Sequence, residues 1–224
     1  MPIVRHGGQV IHFAHVPKCA GTAVVRYLTN RTGPLAFWDS QYLAVSAPHR
    51  WTASSPQHAP HEVMARLFPD GFFDARFAVV RHPVDRLAAV YLFQVEKEGS
   101  VSAETGFDDW LRAIPDLPAD QPFIYDNHIR PMTDFVPDGT EVFRMEDGME
   151  RVQGWIDTTL GLPPDPAHPE IPRINTRYRR LGGTLPRFEI SATARGLVAD
   201  LYAMDFERFG YQENHRSECD TGRE

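Results

Sequence analysis

Three times along the chain a short apolar run meets a tight turn and continues as a segment with helical spacing: residues 9–30, 76–98 and 141–161. Each unit reads as strand, turn, helix. Repeated units of this kind predict an α/β domain with a parallel sheet covered by helices. The first strand is read over Gln9–Val16; Pro17 ends it, KCAG turns, and Thr22 lies near the cap of TAVVRYLTN. The second strand is Arg76–Val80, with a helix after Pro83. The third is Glu141–Met145, followed by a helix over 148–161. HEVMARLF at 61–68 and FDDWLRAI at 107–114 read as short helices, and Ile190–Phe209 as one terminal helix entered through Ser191. Residues Pro34–His61 lack a clean period, and a loop of that length in a compact domain is usually functional. With no repeat and no boundary, the expectation is a single domain over 1–213 and a polar tail over 214–224.

A length of 224 residues suits one such domain, and 42% apolar with 24% charged residues is a globular balance. The net charge of −7 argues against non-specific binding of nucleic acid or acidic membrane, which needs a basic footprint. Only Cys19 and Cys219 occur, too few for a disulfide framework or a four-cysteine zinc site. No HExxH or comparable ligand set appears, so no metal is expected. The start does not read as a signal peptide, and no apolar stretch is long enough to span a membrane. A cytoplasmic protein is the expectation.

Two loops carry chemistry. HVPKCAGTAV joins the first strand to its helix, and the N–H groups of a tight turn at a helix N-terminus form an anion hole. Gly21 allows close approach, Thr22 offers a hydroxyl and Lys18 a full positive charge. The GxxxxGK[ST] spacing of a Walker A loop is absent. The first 38 residues hold Arg5, Lys18, Arg26 and Arg31 and no carboxylate, which suits an anionic ligand. In the second loop, RFAVV runs into RHPVDRLAAVY, and Arg81 leaves a buried strand at its carboxyl end, the edge where ligands sit in open parallel sheets. Arg86 is read either as a second anion contact or as an Asp-paired helix residue.

Together the two loops resemble those of the sulfotransferases that use 3′-phosphoadenosine 5′-phosphosulfate (PAPS). The likeness is to the carbohydrate branch, which includes chondroitin, HNK-1 and uronyl 2-O-sulfotransferases, and to its small bacterial relatives. HVPKCAGTAV is similar to the family's 5′-phosphosulfate loop and FAVVRHPVDRLAAVY to its 3′-phosphate strand and helix; SPQH, DNHIRP, VFRMEDG, Asn175 and YAMDFERFGY add anchor points through most of 9–211. The resemblance implies a three-layer, P-loop-NTPase-like sulfotransferase fold with a central parallel sheet. It also implies PAPS as donor, with PAP as product, and a hydroxyl-bearing small molecule or saccharide as acceptor. Carried over by position, Pro17, Lys18, Cys19, Ala20, Gly21, Thr22 and Ala23 wrap the phosphosulfate, Arg81 holds the 3′-phosphate, and Asn175 belongs to the cofactor site. Ala89 stands where the family has a serine on that phosphate, His82 replaces an Asp, and Met132 replaces a common Gln.

Sulfuryl transfer resembles phosphoryl transfer: it needs in-line geometry and stabilisation of charge on the leaving oxygen, a role suited to Lys18. The acceptor hydroxyl needs a general base, and histidine titrates in the right range. His58 in SPQH is favoured, with His61 and His128 as further candidates. The alternative is a catalytically idle module that binds PAP or another anion, which a PAP titration would distinguish.

Overall fold

Gly7 and Gly8 separate two short apolar runs, and both adopt positive φ (58° and 87°). A two-residue hairpin turn of this kind requires that conformation at both central positions. The chain therefore opens with an antiparallel pair, β1 (Ile3–His6) and β2 (Gln9–Ala14), in the register Ile3 with His12 and His6 with Gln9. The computed structural model describes residues 1–117, 123–174 and 188–213. The four described strands form one sheet in the order β1-β2-β3-β4, with β3 at Ala75–Val80 and β4 at Glu141–Arg144. β2, β3 and β4 are parallel neighbours, as the three strand–helix units predict. The sheet as a whole is mixed, and the expectation of a parallel sheet is corrected at its edge: the Gly7–Gly8 turn is too short for a crossover, so β1 can only pair antiparallel.

The chain divides into two compact units. One comprises 1–80 and 134–173; the other comprises 81–133 and the chain from 174 onward. The first unit holds the sheet. The carboxyl halves of β2 and β3 are buried throughout, as parallel strands covered on both faces must be. Helix α1 (Gly21–Thr32) buries Ala23, Val24, Val25, Tyr27 and Leu28, and α2 (His61–Leu67) buries Met64. The first unit also contains the helix Met149–Leu160, numbered α5 below, whose Val152, Ile156 and Leu160 recur every four residues on its buried face. Its Trp155 ring lies 5.1 Å from Phe77 of β3 and 6.1 Å from Phe143 of β4. Tyr27 donates to Asp157 at 2.7 Å, and Arg31 donates to the Tyr27 hydroxyl and to the carbonyl of Pro163, which ties α1 to α5 and the segment after it.

The second unit is helical. It contains α3 (Pro83–Phe93), continued by one wider turn over Gln94–Glu98, then α4 (Phe107–Ala113), α6 (Ala192–Leu201) and α7 (Ala203–Phe209). Leu87, Val90 and Tyr91 of α3 share a core with Trp110 and Leu111 of α4 and with Val198, Tyr202 and Phe206. The single terminal helix read from the sequence is two helices. Tyr202 breaks it at φ −122°, ψ 28°, is buried, and donates its hydroxyl to the Ile129 carbonyl at 2.6 Å. No helix among the described residues is long and apolar enough to cross a membrane.

Candidate active site

In the first unit the chain leaves β2 through His15 and Val16 and turns over 17–20 into α1. Lys18 and Ala20 have positive φ (66° and 58°), a conformation that costs non-glycine residues about 1–2 kcal/mol each. Left-handed residues in a tight turn of this kind allow successive N–H groups to face one concave side. Ala20 occupies the N-cap of α1 and has no side chain to bond the first-turn N–H groups, and no acidic residue lies in that turn. Those N–H groups and the positive end of the helix dipole suit an anion. Lys18 is partly exposed beside them, Thr22 is exposed, and Cys19 is buried with its Sγ 3.6 Å from the Pro17 carbonyl. Pro17, Gly21 and Ala23 are buried and shape the loop from beneath.

His15 is the floor of that loop. A Cβ on Gly21 would lie 1.6 Å from His15 Nε2, so glycine is required by the ring behind it. The His15 ring is 5.4 Å from Phe13, 6.1 Å from Trp38 and 5.0 Å from His58. His58 ends a short 3₁₀ turn, Pro56–His58, and its Nδ1 is 2.9 Å from the buried Ser55 hydroxyl. The loop and His58, separated by some forty residues of sequence, are thus one ring apart. His61 opens α2 and is half-buried. Ser55 enters the sequence reading only as part of SPQH, and His15 beside the loop reads as structural; what the hydroxyl and the ring meet was not legible there.

In the second unit Arg81 directly follows β3 and is buried. His82 is the N-cap of α3. Its Nδ1 accepts the Val84 N–H at 3.3 Å, and its Nε2 lies 3.0 Å from the Gln212 carbonyl. It thus does the capping that an Asp would do there. Ala89 is half-buried on α3. Arg86 is fully buried and structural: its Nη2 donates to the carbonyls of His128 (2.8 Å) and Arg130 (2.7 Å). These carbonyls follow three successive left-handed residues, Tyr125, Asp126 and Asn127 (φ 52°, 53° and 64°). Met132, in the place of the common Gln, is buried and its N–H donates to Asp205. His128 is buried, with Nδ1 3.3 Å from Gln94 Nε2, and Ser100 donates to Gln94 Oε1 at 2.6 Å. That arrangement turns the amide N–H toward the ring and makes His128 Nδ1 an acceptor. Asn175 lies outside the described residues.

The bare, strained helix N-terminus, the Lys18 ammonium and the absence of any carboxylate before Asp39 fit the phosphosulfate end of PAPS, and a buried arginine at position 81 fits a phosphate. No curated protein and no solved structure matches the chain. A family model described as the sulfotransferase family matches residues 2–212. By that match, which takes in both loops and every described strand, the chain belongs to the sulfotransferase family and is an enzyme that depends on PAPS.

Proposed function

We propose that the enzyme sulfates a hydroxyl of a saccharide, as a relative of the carbohydrate branch, with His58 as general base, Lys18 acting on the leaving oxygen and Arg81 holding the 3′-phosphate. PAPS supplies the activated sulfuryl group. The chain's residues supply the rest. The first-turn N–H groups of α1 and Lys18 bind and orient the anion, and the Lys18 charge offsets the negative charge that grows as the leaving oxygen separates. His58 takes the proton of the attacking hydroxyl.

The observation that carries this reading is the ring contact between His58 and His15, whose ring also abuts Gly21 of the loop. His58 is held a single ring from the residues that bind the anion. His128 suits the role less well: the Gln94 amide donates to its Nδ1, so the neutral ring carries its proton on Nε2 and has no lone pair there to accept another. The fold reading extends in the same way to a three-layer, P-loop-like arrangement, supported by the parallel β2, β3 and β4 and the phosphate-type turn after β2.

The test is sulfuryl transfer from labelled PAPS to a panel of neutral and acidic saccharides, with PAP affinity measured separately by calorimetry. His58→Ala is expected to lower turnover by about 10²–10⁴-fold while PAP still binds. Turnover at the parent rate in His58→Ala removes histidine 58 from the mechanism. Transfer to no saccharide, with transfer to another hydroxyl compound, removes the carbohydrate assignment.

A further inference from the structure

Ser55 stands at the N-cap of the Pro56–His58 turn, where a serine hydroxyl ordinarily bonds a backbone N–H of the turn. Here it makes no such bond. Its Oγ lies instead 2.9 Å from His58 Nδ1, and the residue is only 1% exposed, so water does not compete for the contact. The rest of the turn is fixed around this pair. The His58 N–H donates to the Ser55 carbonyl at 3.0 Å, and Pro56 presets the backbone of the first turn residue. Gln57 exchanges two hydrogen bonds with the Asp39 backbone, at 3.1 and 3.3 Å. The His15 ring lies 5.0 Å from that of His58.

We infer that Ser55 is a positioning residue that fixes the tautomer of His58, accepting the Nδ1 proton so that Nε2 carries the lone pair that receives the proton of the acceptor hydroxyl. The inference rests on the reading of His58 as the base. A hydroxyl is suited to this task because it both donates and accepts. As the acceptor O–H bond breaks, its proton bonds to Nε2. The electron pair left on oxygen forms the new O–S bond, and the pair of the old S–O bond departs with the leaving phosphate. The ring becomes an imidazolium whose Nδ1–H still donates to Ser55, now as the stronger, charge-assisted bond. An amide N–H in the same place, as Gln94 offers to His128, would have to be turned away at that moment. Ser55 thus favours the product of proton transfer over the resting ring, which is how a positioning group raises turnover without changing ligand affinity.

Nitrogen-15 NMR of the histidine rings in the unaltered protein reads the tautomer directly. A protonated Nδ1 and an unprotonated Nε2 on neutral His58 are expected, and the reverse pattern overturns the inference without any mutation. Ser55→Ala should then lower kcat by about 10- to 100-fold, the usual cost of removing a group that orients a functional histidine. KM for the saccharide and affinity for PAP should stay within twofold. Ser55→Thr, which keeps the hydroxyl, should recover most of kcat. Parent kcat and parent ring signals in Ser55→Ala overturn the inference. His58→Ala, run alongside, separates the two readings. If it loses turnover while Ser55→Ala does not, only the role of Ser55 falls; if it retains turnover, the base assignment falls and the role of Ser55 with it.

Discussion

Gly21 has a hydrogen where any other residue would have a carbon, and His15 fills the space that carbon needs. Position 21 is the first residue of α1, and its own φ lies outside the left-handed range, so the requirement is purely one of contact. The consequence is unusual for a phosphate-type loop: the side chain excluded at this glycine would strike the protein, not the ligand. Gly21→Ala must push the His15 ring toward Trp38 and His58, or lift the loop off it. Forcing a methyl into such a site costs about 1–3 kcal/mol. We expect Gly21→Ala to lower Tm and turnover together, and the double variant with His15→Ala to be more stable than the two single changes add up to, by at least about 1 kcal/mol in a denaturant double-mutant cycle. Additive costs would show that the two residues do not meet. Lys18 and Ala20 illustrate the same economy in the backbone. Their left-handed conformations fall at the turn proposed to bind the anion, and such strain commonly clusters at ligand clamps.

At the scale of elements, the segment 125–133 is held from three directions within its unit. Arg86 of α3 binds two of its carbonyls, Tyr202 at the break between α6 and α7 binds a third, and Asp205 of α7 accepts the N–H groups of Met132 (2.8 Å) and Thr133 (2.9 Å). Burial pushes the Asp205 carboxyl above its ordinary pKa, against the pull of Arg86 and the two N–H donors. A left-handed stretch of three residues persists only where its surroundings over-determine it, and these anchors fix the chain directly after Tyr125–Asn127. Asp205→Asn keeps the shape but replaces one of the two acceptor oxygens by an NH₂ that faces another N–H. Leaving one buried N–H without an acceptor costs about 1–3 kcal/mol, so a fall in denaturant stability of that size is expected. A variant as stable as the parent would remove Asp205 from the anchor. None of this was visible in the sequence. The strand–helix units at 9–30, 76–98 and 141–161 were, because hydrophobic period and Pro or Gly punctuation are local signals. The Gly7–Gly8 hairpin was marked by its own dipeptide but hidden by the shortness of Ile3–His6. Arg86, Asp205 and Tyr202 are joined to 127–133 only by folding, and an arginine five residues beyond Arg81 at the predicted ligand edge reads equally well as an anion contact. The candidate site divides along the same line: the loop around Lys18 follows from spacing, whereas His15 and Ser55 gain meaning only from what their rings and hydroxyls meet.

For the whole molecule, the order in which the chain visits its two units bears on how it unfolds. Neither unit is continuous in sequence: the sheet unit is built from 1–80 and 134–173, with 81–133 inserted between them. β3 and β4 are hydrogen-bonded neighbours, so their pairing has to close the whole excursion from 81 to 140. Closing a long unstructured loop carries an entropic cost, and folding of the inserted helices removes much of it. The two units are therefore expected to fold as one cooperative domain. Acid provides the probe, because the sheet unit contains a buried titrating group. His12 on β2 is 1% exposed, stacks on Phe73 with centroids 5.0 Å apart, and has its pKa lowered from 6.5 to about 3, first by burial and then by the N-terminal ammonium and Arg76. Since the folded pKa lies below the unfolded one, the unfolded chain binds the extra proton throughout that interval. The stability contributed by neutral His12 is complete above pH 6.5 and is lost as pH falls toward 3. The slope approaches about 1.4 kcal/mol per pH unit in the middle of the range. Hydrogen exchange followed as pH is lowered should show the Ile11–Ala14 amides of the sheet and the Leu87–Tyr91 amides of α3 losing protection in a single step. In His12→Leu, which has no proton to gain there, both sets should keep protection to lower pH. If the sheet opens while α3 stays protected, the units are separate folding domains; if His12→Leu opens at the parent pH, another group governs the acid limb.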